Sequence, residues 1–164
     1  GARMHRTVTQ ADYHDAAHAA AIVELLNAYA IDPMGGGEAL PALVRATLVA
    51  RLAALAHAFS VLCFVDGVPA GLVNCFEGFS TFEAQPLVNI HDVVVAPAYR
   101  GQGLSRLMLA EVERIARERG CCKLTLEVLE GNAVAQRAYE HTGFANYQLD
   151  PAMGRAMFWQ KKLS

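Results

Sequence analysis

The stretch Val93-Val94-Val95-Ala96-Pro97-Ala98-Tyr99-Arg100-Gly101-Gln102-Gly103-Leu104-Ser105-Arg106 limits this chain more than any other. Three consecutive valines read as a buried strand, and Pro97 ends it. Leu104, Leu107, Met108, Val112 and Ile115 then recur at helical spacing. A glycine-rich turn therefore joins a core strand to a helix running from about Gly103 to Arg119. Glycines let backbone approach a ligand closely. The first turn of a helix carries unpaired N–H groups and a partial positive charge. Such a junction suits a phosphate or pyrophosphate, with Arg100 and Arg106 as cationic donors beside it. On this stretch alone a plain tight loop remains an alternative.

Other nucleotide-binding patterns fit less well. There is no Gly-x-x-x-x-Gly-Lys-Ser/Thr run. Gly101-Gln102-Gly103 lacks the third glycine of a dinucleotide turn, since Arg106 stands there. Glu127 lies at a suitable distance for a ribose contact, but Pro97 to Arg100 separate strand from turn where a dinucleotide fold has no spacer. The net charge of −2 and pI of about 6.3 give no electrostatic reason to expect nucleic acid. No run reads as a membrane span: the most apolar one, Ala16 to Ile31, is interrupted by His18, Glu24 and Asn27. No signal segment is seen, so a cytoplasmic location is expected. The four cysteines, Cys63, Cys75, Cys121 and Cys122, show no CxxC spacing and read as free thiols in a reducing compartment. No His/Cys/Asp cluster has metal-ligand spacing, so no metal is expected.

Gly1 and Ala2 are set aside, leaving residues 3–164 as one domain. Residues 4–9 are expected to form a strand. Asp12 caps a helix to about Tyr29, and a loop spans 32–37, where a mobile lid is conceivable. A second helix covers 38–57 with Leu40, Leu43, Val44, Leu48, Leu52 and Leu55 on its apolar face. Strands at 60–65 and 68–77 flank an Asp66-Gly67 hairpin turn. Residues 79–86 are a loop or strand extension, and a strong strand runs over 87–96. After the 103–119 helix come a strand at 123–129, a helix at 132–142, and two closing strands at 144–149 and 155–161. The fold class is mixed α/β (α+β): one mostly antiparallel sheet flanked by helices.

At this point the sequence resembles the GCN5-related N-acetyltransferase (GNAT) superfamily. Its phosphate turn, Gln/Arg-x-x-Gly-x-Gly/Ala, matches Arg100-Gly101-Gln102-Gly103-Leu104-Ser105, with Ser105 departing at the last position. A second match, Asn-x-x-Ala-x-x-x-Tyr-x-x-x-Gly-Phe, falls on Asn132, Ala135, Tyr139, Gly143 and Phe144. The resemblance covers about residues 60–150. It implies acetyl-coenzyme A as cosubstrate. It also implies a sheet splayed at its centre by a bulge in the 87–96 strand, which opens that strand away from 123–129. Val93, Val94 and Val95 would pair by backbone with the pantetheine arm. Arg100, Gly101, Gln102, Gly103, Leu104, Ser105 and Arg106 would hold the pyrophosphate, and Asn132 would contact the cofactor.

The chemistry such a family performs needs an acid, a base and an amine pocket. Tyr139, at the family's position near the cofactor sulfur, is the acid that the resemblance implies; helix periodicity alone favours a packing residue on the apolar face with Ala135 and Ala138. His91 is the leading base, with Glu77 and Asp92 as alternatives. Strand alternation allows only one of His91 and Asp92 to view the cleft. Asp32, Glu77, Phe79, Phe82 and Glu83 are expected around a cationic acceptor. Gly78 to Phe82 is similar to a short stretch of diamine and thialysine acetyltransferases. The expected activity is N-acetylation of a primary amine on a small molecule such as a polyamine or amino acid. The alternatives are a protein N-terminus or lysine as acceptor, and a silent acyl-coenzyme A-binding module. A homodimer is expected by analogy.

Overall fold

The computed structural model describes residues 4–147 and 150–164. Five strands form one sheet in the order β1-β2-β3-β4-β5: β1 Arg6–Gln10, β2 Ala58–Val65, β3 Val68–Ser80, β4 Gln85–Val95 and β5 Leu124–Leu126. The first four pair antiparallel, and β5 joins β4 in parallel. The helices are α1 Ala16–Ile31, α2 Ala42–Ala53, α3 Leu104–Glu118 and α4 Ala133–His141. This is the mixed α/β architecture expected. The β2–β3 hairpin closes on Asp66 and Gly67, both at positive φ (49° and 78°), as a two-residue turn requires.

Two apolar layers sandwich the sheet. On one side α3 buries Leu104, Met108, Val112 and Ile115 against Val61, Cys75 and their neighbours. On the other, α1 buries Ala21, Ile22 and Leu25 against Leu62, Leu72 and Val94, with Val49 of α2. All four cysteines are free, and burial pushes their thiols up, most strongly for Cys75. No described helix is long and apolar enough to cross a membrane.

Several boundaries differ from the sequence reading for identifiable reasons. Asp15, not Asp12, caps α1 by accepting from the His18 N–H at 2.9 Å; Asp12 instead accepts from His14 in the preceding turn. α2 starts only after Pro41, which disfavours helical backbone at Leu40. Its apolar face is only partly used: Val49 and Leu52 are buried, whereas Leu43, Val44 and Leu55 are exposed. The loop after α1 is not built as a free lid. The amides of Gly35, Gly37 and Glu38 bond to Asp32 and Ala30 carbonyls, and Leu40 N–H donates to Asn27 Oδ1 at 2.8 Å. A Cβ at Gly35 would run into the Tyr29 carbonyl oxygen. β5 is three residues long rather than seven. The two closing strands do not form among the described residues: 144–147 and 155–164 carry no strand, and Gln148 and Leu149 lie outside the described residues.

Candidate functional site

The site grows from one irregularity in β4. Asn74 of β3 faces Asp92, but the next residue, Cys75, faces Ile90, so His91 has no partner on β3. An extra residue reverses the alternation of side chains along the strand. Val88 and Ile90 point into the α3 layer, whereas Val94 points into the α1 layer. The expectation that only one of His91 and Asp92 could face the cleft therefore fails. Both line the same cavity of about 370 Å³, together with Tyr29, Asn74 and Phe76. Leu26, Leu40, Leu48 and Leu52 make its apolar walls. A larger hollow of about 790 Å³ between α1 and α2 is lined by Ala19, Val23 and Ala46 but by neither bulge residue, so it lies apart from this site.

The bulge also marks where β4 parts from β5. Pairing with β5 covers only Val88, Asn89 and Ile90. Beyond Ile90 the β5-facing edge of β4, including Val93 to Val95, has no strand partner among the described residues. An extended ligand could pair there. Of the three valines, Val94 is buried in the α1 layer, while Val93 and Val95 pack partly against the α3 layer.

β4 runs into a short 3-10 turn, Pro97–Tyr99, and then into the start of α3. Gly101 and Gly103 have φ of 76° and 77°, which other residues rarely adopt, and a Cβ on either would project into open space. α3 has no side-chain cap. Among the described residues, none of the amide N–H groups from Gly101 to Arg106 donates a hydrogen bond; the first to do so is Leu107, to Gly103. The side-chain oxygen of Gln102 is buried without a partner. This cluster of unsatisfied donors fits the diphosphate of coenzyme A, whose oxygens are strong acceptors. Leu104 is a core residue and would contribute only its amide. Arg106 is exposed, and Arg100 bonds to the Val95 carbonyl and pairs with Asp32 at 3.5 Å.

α4 brings Tyr139. Asn132 caps this helix by accepting from the Ala135 N–H at 3.2 Å, so its side-chain oxygen serves the helix that carries Tyr139. The Tyr139 ring meets Phe144 edge-on at 6.0 Å. Burial, reinforced by the nearby Tyr29, pushes the Tyr139 phenol up to about 12. It is a proton donor at neutral pH, not a base. Tyr29, which lines the cavity with His91 and Asp92, is itself raised by burial and by Asp92 and Asp32.

Behind Asp92 runs a chain of polar side chains that the sequence did not reveal. Tyr13 Oη lies 2.8 Å from Ser60 Oγ, Ser60 donates to Asn74 Oδ1 at 2.6 Å, and Asn74 Nδ2 donates to Asp92 Oδ2 at 3.1 Å. Since the Ser60 proton goes to Asn74, Tyr13 is the donor to Ser60. Ser60 and Asn74 are buried, and every donor in the chain points toward the carboxylate. The His91 ring stands edge-on to Phe76 at 5.5 Å.

The other expected acceptor residues lie elsewhere. Glu77 pairs with Arg119 at 3.5 Å and does not line the cavity. Glu83 pairs with Lys123 at 3.1 Å near the β3–β4 turn, with Phe79 and Phe82 exposed there. That turn is about 20 Å along the strands from the bulge. Asp32 is taken by Arg100 and the Met34 N–H. Among the described residues no group of three His, Cys, Asp or Glu could hold a metal.

The family model described as "Acetyltransferase (GNAT) family" matches residues 20–144. Streptothricin acetyltransferase of Streptomyces lavendulae is 44% identical over 66 residues, 40% of this chain and 35% of that protein. Thialysine N-epsilon-acetyltransferase of Caenorhabditis elegans is 29% identical over 90 residues, 55% of this chain and 54% of that one. The chain thus aligns with between a third and just over half of these two relatives' length. In three dimensions it superposes on aminoglycoside N-acetyltransferase AAC(6')-Iy in complex with CoA at a TM-score of 0.78, with 18% identity, covering 98% and 97% of the two chains.

Proposed function

Since the chain belongs to the acetyltransferase (GNAT) family, we propose that residues 3–164 form one domain that moves an acetyl group from acetyl-coenzyme A to a primary amine on a small molecule. The observation that carries this reading is the bulge at His91. It opens one edge of β4 directly upstream of the free amides 101–106, and turns His91 and Asp92 together into a mostly apolar cavity. Streptothricin, aminoglycoside and thialysine acetyltransferases among the relatives are named for amine-bearing small molecules, which agrees with a cavity of about 370 Å³ beside the bulge. The free thiols suit a reducing compartment such as the cytoplasm.

The amides of Gln102, Gly103, Ser105 and Arg106 grip the diphosphate, with Arg100 and Arg106 adding charge. The open edge at Val93 to Val95 pairs with the pantetheine arm and so fixes the thioester beside the bulge. Holding both reactants in one cleft contributes a large share of the acceleration. An ordinary amine with pKa near 10.4 is unprotonated about once in 10³ molecules at pH 7. Asp92, oriented by Asn74, attracts the ammonium. His91 takes the ammonium's proton and frees the lone pair. The nitrogen then attacks the carbonyl carbon, and the second proton it sheds on becoming an amide passes to solvent water. As the C–N bond forms and the C–S bond breaks, Tyr139 passes its proton to the departing sulfur and is reprotonated from solvent. Glu77 has no part in this scheme.

The test is release of free coenzyme A thiol from acetyl-coenzyme A with a panel of diamines, amino acids and aminoglycosides. At least one small amine accelerates release, and His91→Ala lowers its turnover while Asp92→Asn raises its KM. Binding of coenzyme A with no amine-dependent release would make the protein an acyl-coenzyme A-binding module instead.

A further inference from the structure

The cavity beside the bulge has one polar wall and one apolar wall. Asp92 is the single carboxylate among the described residues that line it, and it shares the sheet wall with His91 and Asn74. The rest comes from Leu26, Tyr29 and Ala30 of α1, Gly35 and Leu40 of the loop, and Leu48 and Leu52 of α2. No lysine, arginine, aspartate or glutamate stands among them. The Leu40 N–H is tied to Asn27 Oδ1 at 2.8 Å, so this wall is formed without a ligand.

The other acids expected to surround a cation are engaged elsewhere. Asp32 pairs with Arg100 at 3.5 Å, Glu77 with Arg119 at 3.5 Å and Glu83 with Lys123 at 3.1 Å. None of the three lines the cavity. A second ammonium held among the leucines would therefore be buried without a partner, which costs more than its contacts return. An alkyl chain gains there instead, about fourfold in affinity per methylene. The volume of about 370 Å³ lies near the lower end for ligand pockets. It equals about a dozen water molecules, enough for a chain of about six carbons beside the reacting carbonyl.

We propose, resting on the acetyl transfer argued above, that the acceptor is an apolar monoamine: one ammonium for Asp92 and an uncharged body lying among Leu26, Leu40, Leu48 and Leu52. Diamines are disfavoured because their far ammonium meets no carboxylate. Amino acids are disfavoured because their own carboxylate meets Asp92. Aminoglycosides are disfavoured by both charge and size.

Thiol release from acetyl-coenzyme A with matched acceptors tests this. From propylamine to hexylamine, kcat/KM rises about fourfold per methylene. Hexamethylenediamine, of equal length, falls at least about tenfold below hexylamine, and ω-aminohexanoate does the same. Leu48→Glu supplies the missing carboxylate and reverses the order, with hexamethylenediamine overtaking hexylamine; retained coenzyme A affinity by calorimetry shows that this variant is folded. The series on the unaltered protein decides the matter on its own. Equal rates along the alkylamines overturn the inference and leave acetyl transfer in place, as does a diamine, amino acid or aminoglycoside that matches hexylamine. Release with none of these amines overturns acetyl transfer itself, and the acceptor class with it.

Discussion

The two halves of β4 behave as different materials. Residues 85–90 are hydrogen-bonded to β3 on one side and, over 88–90, meet β5 on the other, with Val88 and Ile90 sealed under α3. Residues 92–95 keep β3 but have no β5 partner, and the bulge at His91 turns two titratable side chains into a cavity. One half is satisfied by its own chain, while the other leaves donors, an edge and a pocket for something else. The helix starts repeat the contrast: α1 and α4 are closed by Asp15 and Asn132, whereas α3 begins at Gly103 with no cap. Capping is worth roughly 1 kcal/mol, so α3 forgoes stability where an anion could supply the missing partner.

Substitutions can break that contrast, beginning at the open half. Tyr139→Phe removes only the donated proton and lowers turnover about 100-fold, with coenzyme A affinity by calorimetry unchanged; an unaltered rate would remove Tyr139 from the mechanism. Gly103→Val strains a backbone at φ 77° and puts a side chain where the diphosphate lies. Coenzyme A affinity then falls by at least about tenfold, since one lost charge-assisted hydrogen bond costs roughly 1.5–3 kcal/mol. Asn74→Ala leaves Asp92 without its anchor and lowers kcat/KM for the amine about tenfold while sparing coenzyme A binding; loss of both in parallel would make Asn74 a folding residue only. In the closed half the signature reverses. Ile90→Val costs about 1 kcal/mol of stability, read by urea unfolding, with turnover per folded molecule untouched.

The pH response sharpens the same point. Burial raises the Tyr139 phenol to about 12, above the ordinary value near 10. The neutral form is therefore favoured in the folded state, and its contribution to stability is intact below pH 10 and lost as pH rises toward 12. Alkaline titration of phenolate absorbance shows a late-ionising component that is lost in Tyr139→Phe, beside the raised rings of Tyr13 and Tyr29; no loss of a late component in that variant would mean the ring is not sheltered.

The turn at 100–106 was legible in the sequence because glycines, an arginine and a proline each report a local constraint. The motif around Tyr139 was legible for the same reason. The cavity was not. Its walls are Leu26, Leu48 and Leu52, which in sequence are ordinary helix core, and Tyr29 is hidden among them. Nothing local marks which strand residue is doubled, so alternation alone gave the wrong view of His91 and Asp92. Glu77, Phe79 and Glu83 looked plausible beside a cationic ligand only because distance along a strand is invisible without the register. The segment 155–161 reads as a strand in sequence, yet strand propensity describes a fit to neighbouring strands, and none of the described strands lies alongside it.

Amide chemical-shift titration with coenzyme A tests the central claim most directly. The account predicts saturable shifts at residues 101–106 and 93–95, with residues 85–90 and the α1 start unmoved. Amides 101–106 that stay still at saturating coenzyme A would contradict it.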